Sequence, residues 1–190
     1  MQRLFLFICV LLFLIGCNQN NKEQIENIRI QSLTNSLDSI EKLLLKNEID
    51  TLAALGVATN AVELRIKNYY NLDSIDYEFG KKMDQYKVMR RSLGPLGKNF
   101  VDIKNGINEE RSALKNLTND ISNNIGTREE NETNIQFEKE KVNQLEVLLK
   151  EYLIEKNKTM TTFHKLHKEL DSFSIELMKE NEYLKLKKRQ

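Results

Sequence analysis

Residues 128–187 read REENETNIQFEKEKVNQLEVLLKEYLIEKNKTMTTFHKLHKELDSFSIELMKENEYLKLK, with neither proline nor glycine. Apolar side chains return along this stretch at alternating steps of three and four. They are Ile135, Val142, Leu145, Leu149, Tyr152, Phe163, Leu166, Leu170, Phe173, Leu177 and Leu184. A 3.5-residue repeat held this long marks helices that pack along a seam, as in coiled coils and extended bundles. Charged residues fill the flanking positions, as in Glu138-Lys139-Glu140-Lys141, and form a solvated face. Thr127 and Glu130 make a Thr-x-x-Glu capping box, which starts the helix near Arg128. At about 1.5 Å per residue, 60 residues make a rod of roughly 90 Å. Lys185, Lys187, Lys188 and Arg189 close it where positive charge offsets the helix dipole.

The same register reaches back through the chain. Ile30, Leu33, Leu37, Ile40 and Leu44 belong to it. So do Leu72, Ile75, Phe79, Tyr86, Met89, Leu93, Leu96, Phe100, Ile103, Ile107, Leu114, Leu117 and Ile121. Between Leu45 and Leu72 the stripe slips: Leu52, Leu55, Val62, Ile66 and Tyr69 sit one position later, a stutter that changes the local supercoil. Lys82, Glu138, Lys156 and Glu180 place polar groups on the stripe, where they weaken the seam and fix its register.

Breaks are expected at three places. Leu93-Gly94-Pro95-Leu96-Gly97 combines a residue without an amide donor with two glycines, and the helix before it should stop near Leu93, giving a break over 93–98. Asn123-Asn124-Ile125-Gly126 precedes the capping threonine, giving one over 123–127. Asn71-Leu72-Asp73-Ser74 gives a softer one over 71–74, with Asp73 or Ser74 capping a helix near Ile75. The predicted fold is all-α: an elongated antiparallel helical bundle or coiled coil of long helices, in one domain over 22–188. A turn at 71–74 makes three comparable rods. Without it the first helix runs to Leu93 and forms a hairpin. High charge (30%), a single proline and no tryptophan suit long helices rather than a β-sandwich.

The N-terminus carries the clearest functional signal. Met1-Gln2-Arg3 is a short basic start, and Leu4 to Ile15 is apolar. At about twelve residues the run is shorter than the roughly 20 a membrane-spanning helix needs, and has the proportions of a cleaved signal segment. Leu14-Ile15-Gly16-Cys17 follows, and resembles the lipobox of bacterial lipoprotein signal peptides. The resemblance covers residues 1–17 alone. It implies cleavage between Gly16 and Cys17, with residues 1–16 removed, lipid attached to the Cys17 thiol, and residues 17–21 as a short tether. More than one acyl chain gives stable anchoring. Asn18, in the position where aspartate retains enteric-type lipoproteins at the inner membrane, resembles the outer-membrane class. The expected location is the cell envelope, at the outer membrane facing the periplasm.

Cys9 and Cys17 are the only cysteines, so the mature chain has no disulfide and no thiolate metal site. There are 29 basic against 28 acidic residues, and loss of Arg3 makes them equal. Nucleic acid is therefore not an expected partner, since phosphate binding needs a basic surplus. His164, His167 and Asp171 share one side of the last helix at spacings of three and four, which makes them weak candidates for a metal site. Residues 51–62 carry no charge and include Ala53, Ala54, Ala58 and Ala61. Leu52, Ala53, Leu55, Ala58 and Val62 are the candidate interaction face.

No nucleophile-base set or phosphate loop is present in the sequence, and a narrow helical rod offers few sites that exclude water. Catalysis, a cofactor and a small-molecule substrate are not expected. The predicted function is a lipid-anchored envelope scaffold or adaptor, bound to the membrane through Cys17 and to an envelope protein or to copies of itself. One alternative is a periplasmic holdase-like accessory subunit with an apolar helical groove. Another is a murein-associated structural lipoprotein. The small murein-linked lipoproteins end in lysine, whereas this chain ends Lys188-Arg189-Gln190.

Overall fold

The computed structural model describes residues 2–70 and 76–188, with side chains from residue 23 onward. The fold is all-α. The described residues form four helices: α1 (Gln2–Lys46), α2 (Leu52–Tyr69), α3 (Tyr77–Ser122) and α4 (Arg128–Lys187). They divide between two compact units. The first joins residues 1–46 to 103–149, and the second joins 47–102 to 150–190. Each unit is a three-helix bundle.

In the first unit, α1 and α3 run antiparallel. Arg111 Nη2 donates to Asp38 Oδ1 at 2.7 Å and to Glu41 Oε2 at 2.9 Å. From α4, Glu132 accepts from Arg29 at 2.5 Å, and Lys141 pairs with Glu110 at 3.1 Å. The core is the apolar stripe of each helix: Ile30, Leu37, Ile40 and Leu44 from α1, Ile103, Ile107, Leu114, Leu117 and Ile121 from α3, and Ile135, Val142, Leu145 and Leu149 from α4. Gly106 leaves room for the Leu145 side chain at the α3–α4 seam, since a Cβ there would lie 2.7 Å from Leu145 Cδ2.

In the second unit, α2 is antiparallel to α3 and parallel to the later half of α4. Glu63 accepts from Arg90 at 2.7 Å, and Arg65 pairs with Asp171. The central cluster is Val62, Ile66, Met83, Tyr86, Met89, Leu166 and Leu170, with Tyr70, Phe79 and Phe163 packed against it. Tyr70 stacks on Phe79 at 5.0 Å. Residues 71–74, where a turn was expected, lie outside the described residues. The antiparallel pairing of α2 and α3 excludes the layout in which one helix continues to Leu93. The cap of α3 is Asp76, whose Oδ1 accepts from the amides of Glu78 (2.7 Å) and Phe79 (3.4 Å).

The expected break at 93–98 does not form. α3 runs from Tyr77 to Ser122 with Pro95 inside it. Gly94 and Pro95 are exposed, so the Arg91 carbonyl that loses its amide partner faces water. Leu93, Leu96 and Phe100 stay buried at steps of three and four, and their packing holds the helix through the proline. The chain breaks instead between Lys46 and Leu52, where the stripe slips. Tyr152 donates its hydroxyl to the Asn47 carbonyl at 2.8 Å, and Lys156 Nζ donates to Asn47 Oδ1 at 3.0 Å. The break thus has its own polar anchorage.

Between α3 and α4 the chain turns through Asn124 (φ 53) and Gly126 (φ 86). The Asn124 amide bonds the Ile121 carbonyl and the Ile125 amide bonds the Asp120 carbonyl, which satisfies the last acceptors of α3. Thr127 and Glu130 then close the capping box: the Thr127 amide donates to Glu130 at 2.6 Å and the Glu130 amide to Thr127 Oγ1 at 3.3 Å.

Candidate functional site

Gly16 and Cys17 fall within the span of α1, ahead of the residues whose side chains are described. Among the described residues, no helix is long and apolar enough to cross a membrane.

The three weak metal candidates turn to three different partners. His167 Nδ1 lies 2.6 Å from the Tyr86 hydroxyl. Its ring stacks on Phe163 at 4.5 Å and lies parallel to Tyr86 at 6.1 Å. Burial holds the imidazole below its usual pKa and pushes the Tyr86 phenol up, so the bond joins a neutral ring to a neutral hydroxyl. Asp171 accepts from Arg65, whose Nε also donates to the buried Ser174 hydroxyl at 2.8 Å. His164 is exposed and meets Phe163 edge-on. Among the described residues, no group of three or more His, Cys, Asp or Glu side chains is placed to hold a metal. His167 and Asp171 instead form two separate polar links from α4, one to Tyr86 of α3 and one to Arg65 of α2. Tyrosine at a core stripe position was the available sequence signal, since its hydroxyl needs a partner once buried.

The proposed interaction residues do not share one outward face. Val62 is fully buried in the central cluster. Leu52, Leu55 and Ala58 are half-buried, and Leu52 Cδ1 lies 3.4 Å from where a Gly97 Cβ would stand. Ala53 alone of the five is exposed. The reason is geometric: all but Ala53 lie on the slipped stripe that turns toward α3 and α4. Thr59 completes that stripe, buried and bonded to the Leu55 carbonyl at 2.7 Å. The outward apolar residues of α2 are Ala53, Ala54, Val57 and Leu64.

Sequence reading missed a carboxyl pair in the first unit. Glu110 is buried, and Glu138 on α4 lies within hydrogen-bonding reach of it. Glu110 Oε2 and Glu138 Oε2 are both buried with no donor facing them. Lys141 serves the other Glu110 oxygen. Two carboxyl groups thus share a partly buried place with one cation beside them. Desolvation and the neighbouring Glu110 raise Glu138 to about 7. A hydroxyl pair, the half-buried Ser92 and the buried Thr159 at 2.8 Å, joins α3 to α4 in the second unit. Beside it is an open groove of about 290 Å³, lined by Val88, Met89, Ser92 and Thr159 among others.

Comparison with protein-family models, with curated proteins and with solved structures found no match.

Proposed function

We propose that this chain is a non-enzymatic helical scaffold or adaptor of the bacterial cell envelope, held to the membrane by lipid on Cys17. The observation that carries this reading is Leu14-Ile15-Gly16-Cys17 at the end of a short apolar run. The lipid tethers the N-terminus, Asn18 to Asn21 is the tether, and the bundle presents its solvated helix faces to an envelope protein or to another copy. The expected seat is the outer membrane, facing the periplasm. Ion pairs join the helices of each unit, with Arg111, Arg65 and Arg90 each bonded to a neighbouring helix, which braces the faces each unit presents.

Fractionation of the native host tests it. The wild-type chain should stay with the outer membrane through high-salt and alkaline washing, and Cys17→Ser should leave the membrane or accumulate unprocessed. Equal membrane retention of both proteins, with residues 1–16 removed from each, would refute lipid anchoring. Crosslinking in intact envelopes, followed by mass spectrometry, identifies the partner.

The groove along Val88 and Met89 supports a second reading, a holdase-like accessory subunit. Its volume is at the lower end of the roughly 300–1,000 Å³ of small-ligand pockets, which suits a side chain or two better than an unfolded client. Suppression of client aggregation by the full chain, lost in Val88→Glu, would favour this reading over the scaffold.

A further inference from the structure

The last turns of α4 differ from the rest of the molecule. Asn181 ties α4 to α2, its Nδ2 donating to the Tyr69 carbonyl at 3.0 Å. Every described residue beyond it, 182–188, is exposed, although the helix continues to Lys187. Leu184 continues the sequence register and is nonetheless 46% exposed, with Tyr183 at 65% and Leu186 at 62%. Lys185, Lys187 and Lys188 are interleaved with them, and Arg189 follows in the sequence. Over 179–189 there are five basic side chains against two acidic ones, in a chain whose total is +1.

Offsetting the helix dipole explains lysines in a last turn. It does not explain a tyrosine and two leucines in water among them, because the bundle gains nothing from apolar groups it does not cover. Basic charge alone would suit any polyanion. The apolar side chains discriminate, because a nucleic-acid duplex offers them no apolar layer, whereas a bilayer offers the acyl boundary beneath its headgroups. There Tyr and Leu sink toward the acyl boundary while the lysine stems extend their ammonium groups to the phosphates. Anionic lipid supplies the complementary charge. We propose that the exposed end of α4, from Tyr183 to Lys188, docks on an anionic phospholipid surface, with Lys185, Lys187 and Lys188 on the headgroups and Tyr183, Leu184 and Leu186 inserted between them. This contact needs neither Cys17 nor its lipid.

The chain has no tryptophan, so Tyr183→Trp supplies a single local emitter. The full chain carrying it is titrated with phosphatidylglycerol or phosphatidylcholine vesicles, with and without brominated acyl chains. Because the emitter reports only its surroundings, insertion of the N-terminal run elsewhere does not register. The expected result is a blue shift and bromine quenching with phosphatidylglycerol alone, reversed by high salt. Adding Lys185→Glu, Lys187→Glu and Lys188→Glu should weaken the response at least tenfold at unchanged helicity. An unshifted emission with phosphatidylglycerol, an equal response to phosphatidylcholine, or an unaltered response in the charge-reversed variant would each overturn the proposal. So would duplex DNA that competes at lower phosphate concentration than the vesicles, since that marks a nucleic-acid site.

Discussion

The Tyr86 hydroxyl meets Nδ1 of His167 at 2.6 Å, and this bond joins α3 to α4 inside the core of the second unit. Tyr86 is fully buried, and His167 is held below its usual pKa by the same burial. The unfolded chain therefore takes up a proton at His167 before the folded one does. Stability should be complete above the unfolded histidine value, about 6.5, and fall as pH drops below it. Tyr86→Phe should cost about 1–2 kcal/mol by leaving Nδ1 without its partner. Thermal melts from pH 8 to 5 check both points. His167→Phe, which keeps a flat ring against Phe163, should lose the acid-dependent drop, and an unchanged drop would assign it elsewhere.

Glu138 has the opposite sign. Its carboxyl is raised to about 7 by burial and by Glu110, so the folded state binds the proton more tightly than the unfolded state. Its contribution should be favourable in acid and fade as pH rises from about 4.5 to about 7. Glu138→Gln supplies a permanent donor to Glu110 and should stabilise the protein at pH 8 by about 1 kcal/mol, a figure already reduced for solvent screening. Denaturant titrations at pH 5 and pH 8 read the difference, and a variant that is weaker at both pH values would contradict the raised Glu138 carboxyl.

Two helical glycines should respond differently to a methyl group. Gly56 has open space around its Cβ position, so Gly56→Ala should gain about 1 kcal/mol from helix propensity. Gly106 faces Leu145 across the α3–α4 seam. Gly106→Val should lose about 1–3 kcal/mol through overpacking. Urea midpoints distinguish them, and a neutral Gly106→Val would mean the two helices are not in close contact there.

Pro95 sits in an unbroken helix, held there by Leu93, Leu96 and Phe100. Pro95→Ala restores an amide donor and removes the ring from the Arg91 carbonyl. It should raise stability, by up to about 3 kcal/mol. An unchanged urea midpoint would instead indicate a real interruption of α3.

Most of the fold was legible because the apolar stripe records it directly. Ile30, Leu37, Ile107, Val142 and Leu166 are buried where the three-four spacing puts them. The failures have physical causes. Gly94-Pro95-Gly97 resembles a break, but local propensity lost to the packing of three large side chains. The actual break at 47–51 holds no glycine or proline, and only the one-residue slip announced it. Thr59, Thr159 and Ser174 fill core positions that an apolar search passes over, because each hydroxyl is bonded within the bundle. Met83 takes the core place beside Lys82, whose charge reaches outward to Glu169. The polar contacts of the candidate site were less legible. His167 and Asp171 share a helix side as their spacing predicts, but their partners, Tyr86 and Arg65, come from other helices and no local motif reveals them.

The intact mass of the protein purified from its native host tests the central claim most directly. Lipid anchoring predicts a chain that begins at Cys17 and carries the added mass of acyl groups on that residue. A chain that retains residues 1–16 with a free Cys17 thiol would contradict it.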